Sequence, residues 1–282
     1  MLDPAFAPFT GLSHALGYRT FSPSEMLQCI ASVGGLTLVG DSTLREATTV
    51  LLEYLGRPRI KVNGVAWENQ RADEEFVVEL RGGGSAKARL HFLFARNIDS
   101  ELAHRISEAA LTHDTRAIVA HSAFWDWNVD TGASAEDWLA RYMRGAARCL
   151  QTVRTELAPA LAAQDSAAGT PLPPRRWLWR TANPTVLGRL DEGRRTFLTP
   201  ARVHASNAFI KAALAASSAA GGYAPVWEVV DMADIVPSGR EDLVREDGYH
   251  PTDPSALATV QVIFNKLCGH RVTSETLEEM AA

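Results

Sequence analysis

The sequence is poor in cysteine and in sustained charge of either sign. Its 282 residues hold three cysteines, Cys29, Cys149 and Cys268, far apart in the chain. No CxxC pair occurs, which argues against a zinc ribbon and a thioredoxin-type redox motif. The odd count argues against a scaffold built only from disulfides, while leaving room for one bridge and one free thiol. The net charge is −5 and no Lys/Arg-rich run stands out, so nothing suggests a nucleic-acid surface. No stretch approaches the roughly 18 apolar residues that a membrane span requires. Met1 to Thr20 lacks a basic start followed by an apolar block, so it does not read as a secretory signal. These absences predict a soluble chain that stays where it is made, the cytoplasm by default.

Several chemical signatures are missing too. Beyond His250, the histidines are His14, His91, His104, His113, His121, His204 and His270. They form no HExxH or comparable spacing, so each is expected at the surface or in a hydrogen bond, and no metal or cofactor is predicted. Gly82 to Lys87 is glycine-rich but lacks the phosphate-loop pattern. The GxSxG elbow of α/β-hydrolases is absent.

What is present reads as an ordinary globular chain. Apolar residues make up 46% and charged residues 22%, and the length suffices for a sizeable core. The segment from Gly35 to Ser42 reads as a buried strand ending in a tight turn at Gly40. A helix is predicted from Thr43 to about Tyr54, where Thr43 and Glu46 have capping-box spacing. Residues 59–65, 75–81 and 87–94 have strand character, the last two joined by a glycine-rich hairpin turn placed as an excursion at one sheet edge. A helix is predicted over 100–111 and a strand over 115–121. The strongest helical periodicity runs from Ser134 to about Ala163. Near 163–175 the composition turns to Ala, Ser, Gly and Pro, which reads as a loop insertion. Strands over 176–181 and 225–230 alternate with helices over 202–216 and 256–267. Alternating strands and helices predict an α/β fold with a mainly parallel sheet covered on both faces. There is no internal repeat and no long linker, so 1–282 is expected to form a single domain.

In such a sheet, sites gather beyond the carboxyl ends of the strands. Three segments should meet there: Gly40-Asp41-Ser42, the loop after His121, and the stretch containing Asp247-Gly248-Tyr249-His250. A serine hydroxyl is a weak nucleophile unless a base removes its proton and a third group orients that base. An unperturbed imidazole titrates at about 6.5, which makes His250 the natural base. Asp247, three residues earlier on a glycine-containing turn, can face the imidazole. Ser42 at a helix start also offers an outward backbone N–H to a developing oxyanion. Such a donor is worth roughly 2.7–4 kcal/mol in other acyl-transfer enzymes.

The sequence resembles the SGNH (GDSL) hydrolase superfamily, and within it the PC-esterase group. That group includes plant trichome-birefringence-like glycan acetyltransferases and the lumenal domain of sialic-acid O-acetyltransferases. The resemblance is carried by Leu38-Val-Gly-Asp-Ser-Thr-Leu-Arg45, Ser122-Ala-Phe-Trp-Asp126, Trp179-Arg-Thr-Ala-Asn-Pro184 and Asp247-Gly-Tyr-His250, in the family's order, with Cys29 ahead of the first strand. It implies a flavodoxin-like three-layer α/β/α sandwich with Ser42 as nucleophile and Asp247 and His250 completing a triad. It also implies an acetyl ester, on a carbohydrate, as the substrate of an esterase or an O-acyltransferase, or a binding protein that kept the fold.

One block departs from the superfamily pattern. Many members place an oxyanion-binding Asn in a GxND block, where this chain has Ala123-Phe-Trp-Asp126. Gly64, Asn97 and Asn183 are therefore the candidates, beside Ser42, for oxyanion donors. Arg45, Trp125, Asp126, Trp127 and Arg180 are the candidates for substrate contact. Trp125 and Trp127 line a pocket or belong to the core, and Arg45 and Arg180 meet an anionic group or an internal acid.

Overall fold

In the computed structural model, residues 18–57, 61–62, 65–66, 74–79, 87–98, 100–122, 135–169, 172–219 and 226–269 are described. The main sheet has six strands: β1 (Leu36–Gly40), β4 (Glu74–Glu79), β5 (Lys87–Phe94), β6 (Ala117–Ala120), β7 (Arg176–Arg180) and β8 (Trp227–Val230). Their order is β4-β5-β1-β6-β7-β8. Five strands run parallel, and only β4 is antiparallel, paired to β5 at the edge. A two-residue ladder, β2 (Lys61–Val62) with β3 (Val65–Ala66), stands apart.

The five parallel strands follow the flavodoxin-like order, in which the chain starts inside the sheet and winds both ways. Alternate residues then point to opposite faces. Leu36, Leu38, Phe92, Val119, Leu178 and Val230 pack on one side with helices α1 (Pro23–Ser32), α2 (Ser42–Tyr54) and α9 (Asp253–Cys268). Val39, Leu93, Ile118, Trp177, Trp179 and Trp227 pack on the other, with α3 (Ser100–Ser107), α4 (Ala135–Thr152) and α7 (Pro200–Ala219). The result is a three-layer α/β/α sandwich.

Some local expectations change. Strand β5 is an integral parallel strand beside β1, and only β4 is an edge excursion. Helix α1 has clear signals, a Ser22/Glu25 capping box with Pro23 at its start, that the strand-and-helix reading passed over. The long helix does not end near 163. After a π-helical turn at Val153–Leu157 it continues as α5 (Ala158–Ala167), so any loop in this region begins later. Short helices α6 (Glu192–Phe197) and α8 (Met232–Ile235) complete the set.

Cys29 in α1 and Cys268 at the end of α9 form a disulfide across 239 positions, and Cys149 is buried. Disulfides persist in oxidising compartments and are rare in the cytosol, so the bond sets against the cytoplasmic default. Cross-linking distant positions restricts the unfolded chain and contributes about 2–5 kcal/mol. The double variant Cys29→Ala/Cys268→Ala should therefore melt roughly 3–8 °C lower than the parent in a thermal scan. An unchanged Tm would remove the bond from the account of stability. No helix among the described residues is long and apolar enough to cross a membrane.

Candidate active site

Strand β1 delivers Gly40-Asp41-Ser42 to the carboxyl edge of the sheet. A Cβ on Gly40 would lie 2.5 Å from the carbonyl oxygen of His121. Only glycine lets the two strand ends approach this closely. The chain then turns directly into α2. The cap is Asp41, whose carboxylate accepts from Thr43 N at 2.9 Å, so the Thr43/Glu46 capping box expected from the spacing does not form. Glu46 instead pairs with Arg245 at 2.8 Å, and Arg245 also reaches Asp253 at 3.0 Å. Ser42 thus opens the helix, with a backbone N–H that no intrahelical carbonyl can take.

His250 arrives from the other end of the chain. Gly248 has φ +84°, and a Cβ there would meet the Val186 carbonyl oxygen at 2.9 Å. That turn folds Asp247 back under His250. Asp247 Oδ1 accepts from the backbone N–H of Tyr249 at 3.1 Å and of His250 at 3.0 Å. Asp247 Oδ2 lies 2.6 Å from His250 Nδ1, and His250 Nε2 lies 2.9 Å from Ser42 Oγ. Burial alone would push the Asp247 carboxyl up. Hydrogen bonds and charge from His250, with the two backbone N–H groups, outweigh it and bring the pKa to about 2. The ring of Tyr249 packs on the imidazole, centroids 4.2 Å apart.

Beneath Ser42 lies a buried polar layer. Asp41, Thr43, His121, Arg180 and Asn183 are each at most 1% exposed. Thr43 Oγ1 sits 2.8 Å from Asp41 Oδ1 and 2.9 Å from His121 Nε2. His121 Nδ1 is 2.9 Å from the Arg180 carbonyl oxygen. A carbonyl only accepts, so Nδ1 carries a proton. Burial raises the Asp41 carboxyl, but the His121 charge and hydrogen bonds from His121 and Thr43 hold it far below the usual carboxylate range. Burial lowers the Arg180 pKa to about 10, against the opposing pull of Asp41.

Several candidates change role. Arg180 is fully buried, donates to Thr43 Oγ1 at 3.2 Å and to Asn183 Oδ1, and so does not face a substrate. Asn183 donates to the Tyr249 carbonyl at 2.9 Å, so its amide serves the histidine loop instead of an oxyanion. Arg45 is buried, its guanidinium carbon 5.8 Å from the Phe94 ring centroid, which places it inside the fold. Asn97 follows β5, beside the end of β1, and among the described residues its side-chain amide has no partner. Gly64, Trp125, Asp126 and Trp127 lie outside the described residues. Among the described residues no His/Cys/Asp/Glu group could hold a metal ion.

No family model and no curated protein matches the chain. Solved structures do. A carbohydrate acetylesterase from Sinorhizobium meliloti shares 14% identity over 84% of this chain and 99% of its own, with a TM-score of 0.46. An acetylxylan esterase from Geobacillus stearothermophilus shares 13% over 84% and 96%, at 0.47. A GDSL-like lipase from Bacteroides thetaiotaomicron shares 11% over 95% and 98%, at 0.45. What the site can do follows from its own atoms.

Proposed function

We propose that this chain is a serine esterase that removes an acyl group, an acetyl on a carbohydrate by its sequence resemblance, through an acyl-enzyme. The observation that carries the reading is the continuous hydrogen-bonded line from Ser42 Oγ through His250 to Asp247, at 2.9 Å and 2.6 Å. Both are hydrogen-bond lengths: the first is within reach of proton transfer from the nucleophile to its base, and the second lets the carboxylate orient that base. Ser42 Oγ attacks the ester carbonyl carbon as its proton passes to His250 Nε2. Asp247 stabilises the imidazolium through Nδ1–H. The oxyanion is met by the Ser42 N–H, with the Asn97 side chain as second donor. Collapse expels the alcohol, which takes the proton from His250. Water, deprotonated by the same imidazole, then releases the carboxylic acid and restores Ser42.

The test is turnover of p-nitrophenyl acetate together with labelling by a fluorophosphonate, read by peptide mass mapping. Adduct on Ser42 is expected; adduct elsewhere, or none, leaves a binding protein of this fold as the better reading. Incubation with an acetylated sugar and an acceptor sugar distinguishes release of acetate from transfer to a hydroxyl.

The acid side of the pH profile has a definite shape. Only a neutral imidazole can take the Ser42 proton, so kcat/KM falls as His250 becomes protonated. Asp247, with its pKa near 2, stays ionised throughout that fall. One proton is then involved, and log kcat/KM should approach a slope of one against pH. A kcat/KM with no acid limb at all would rule out the imidazole as base.

A further inference from the structure

We propose that Arg180 and Asn183 are positioning residues, forming a buried strut that sets the distance between the Ser42 hydroxyl and the His250 imidazole. The inference rests on the esterase reading and adds to it two residues that touch neither substrate nor the reacting atoms. The strut runs from one side of the site to the other. Thr43 follows the nucleophile directly, and its Oγ1 accepts from Arg180 Nη1 at 3.2 Å. Arg180 Nη2 donates to Asn183 Oδ1. Asn183 Nδ2 donates to the carbonyl of Tyr249, the residue just before His250, at 2.9 Å.

Each link has a fixed direction. A guanidinium only donates and a carbonyl only accepts, so the Asn183 amide has a single orientation that serves both. Arg180 is 0% and Asn183 1% exposed, so neither has water as an alternative partner. The strut is anchored at the end of β7, between β6 and β8, the most constrained kind of position in the sheet. The histidine loop has other tethers: Val186 N–H to the Gly248 carbonyl at 2.8 Å, and Arg245 N–H to the His250 carbonyl at 2.9 Å. Losing the Asn183 bond therefore releases the loop locally without detaching it. A displacement of about 1 Å at a reacting group costs on the order of 10²-fold in rate.

The decisive variant is Asn183→Asp. A carboxylate still accepts from Arg180 but offers no N–H to Tyr249, so it cuts the strut at one link. The expected result is a drop in kcat of about 10- to 100-fold with KM little changed. Fluorophosphonate labelling of Ser42 should slow in parallel. The low-field proton resonance of the His250–Asp247 hydrogen bond, recognised by its loss in His250→Ala, should broaden or shift. Gln261→Glu is the matched control: Gln261 is a buried amide that bonds both backbone groups of Phe21, at 2.7 and 3.1 Å, away from the histidine loop. It should lower Tm and leave kcat and the resonance as they are. Asn183→Ala, which adds no charge, makes the same comparison if Asn183→Asp does not fold. Wild-type kcat and an unaltered resonance in a folded Asn183 variant would overturn the strut, as would an equal loss of kcat in Gln261→Glu. If the parent protein neither turns over esters nor labels at Ser42, the esterase reading fails by itself, and the resonance still decides the strut.

Discussion

Ser42→Ala should lower kcat on an acetyl ester by about 10⁵- to 10⁶-fold, and His250→Ala by nearly as much. In the proposed mechanism, nucleophile and base act as a unit. With the hydroxyl gone, the acyl-enzyme at position 42 cannot form. With the imidazole gone, the hydroxyl keeps its proton. The double variant should then be scarcely worse than either single one, because the second removal takes away a group that no longer acts. Residual turnover would come from the oxyanion donors and from binding, which neither change removes. Ser42 is 8% exposed, and among the described residues its side chain hydrogen-bonds only to His250, so the methyl side chain should leave the fold intact. Thermal melts of the variants check that point, and steady-state kinetics of all three decide the rest. Losses that multiply in the double variant would show that serine and histidine act separately.

Asp247→Asn carries the second large effect, about 10⁴-fold in kcat, the cost of the same change in a serine-protease triad. The substitution preserves shape but alters the proton pattern. The carboxylate now accepts from His250 Nδ1 at 2.6 Å and from the backbone N–H groups of Tyr249 and His250 through its other oxygen. An amide can keep its oxygen toward the two backbone donors, which leaves its NH₂ facing Nδ1. An NH₂ only donates, so Nδ1 must give up its proton and Nε2 must hold one. The imidazole then presents a proton to Ser42 where a lone pair is required. Asp247→Glu, which keeps charge but not length, should lose less than the amide if tautomer control is the dominant role. The order of the two variants in kcat reads this out directly.

The order of strands and helices and the places of Ser42, Asp247 and His250 are legible in the sequence, while the side chains packed around them are less so. Ser42 could be placed because a run of buried β-formers, a glycine and a helical pattern follow one another without a gap. Asp247 and His250 could be placed because a glycine turn separates them by one bend. Local patterns do not show long-range partners. Glu46 has the spacing of a capping residue, yet its partner, Arg245, lies 199 positions away. Arg180 reads as a contact to an anionic substrate or to an internal acid, and Asn183 as an oxyanion donor, because both are polar and lie at or just past a strand end. Their burial follows from β7 lying between two other strands, which is a property of the sheet order and not of the segment. His121 was expected only to be at the surface or hydrogen-bonded. That it lies under the nucleophile depends on β6 lying beside β1. The cysteines illustrate the same limit, since three residues allow three pairings and only the packing of α1 near α9 selects one.

That bond between Cys29 and Cys268 has a topological consequence. It turns the chain between them into a closed ring that holds every strand of the main sheet and all three residues of the Ser42–His250–Asp247 line. Protein structures commonly loosen from their termini, where fraying costs least. Inside a ring there is no end to fray. Helix α9 follows the histidine loop and α1 leads into the strand that carries Ser42, so the bond holds down the two helices that flank the two halves of the site.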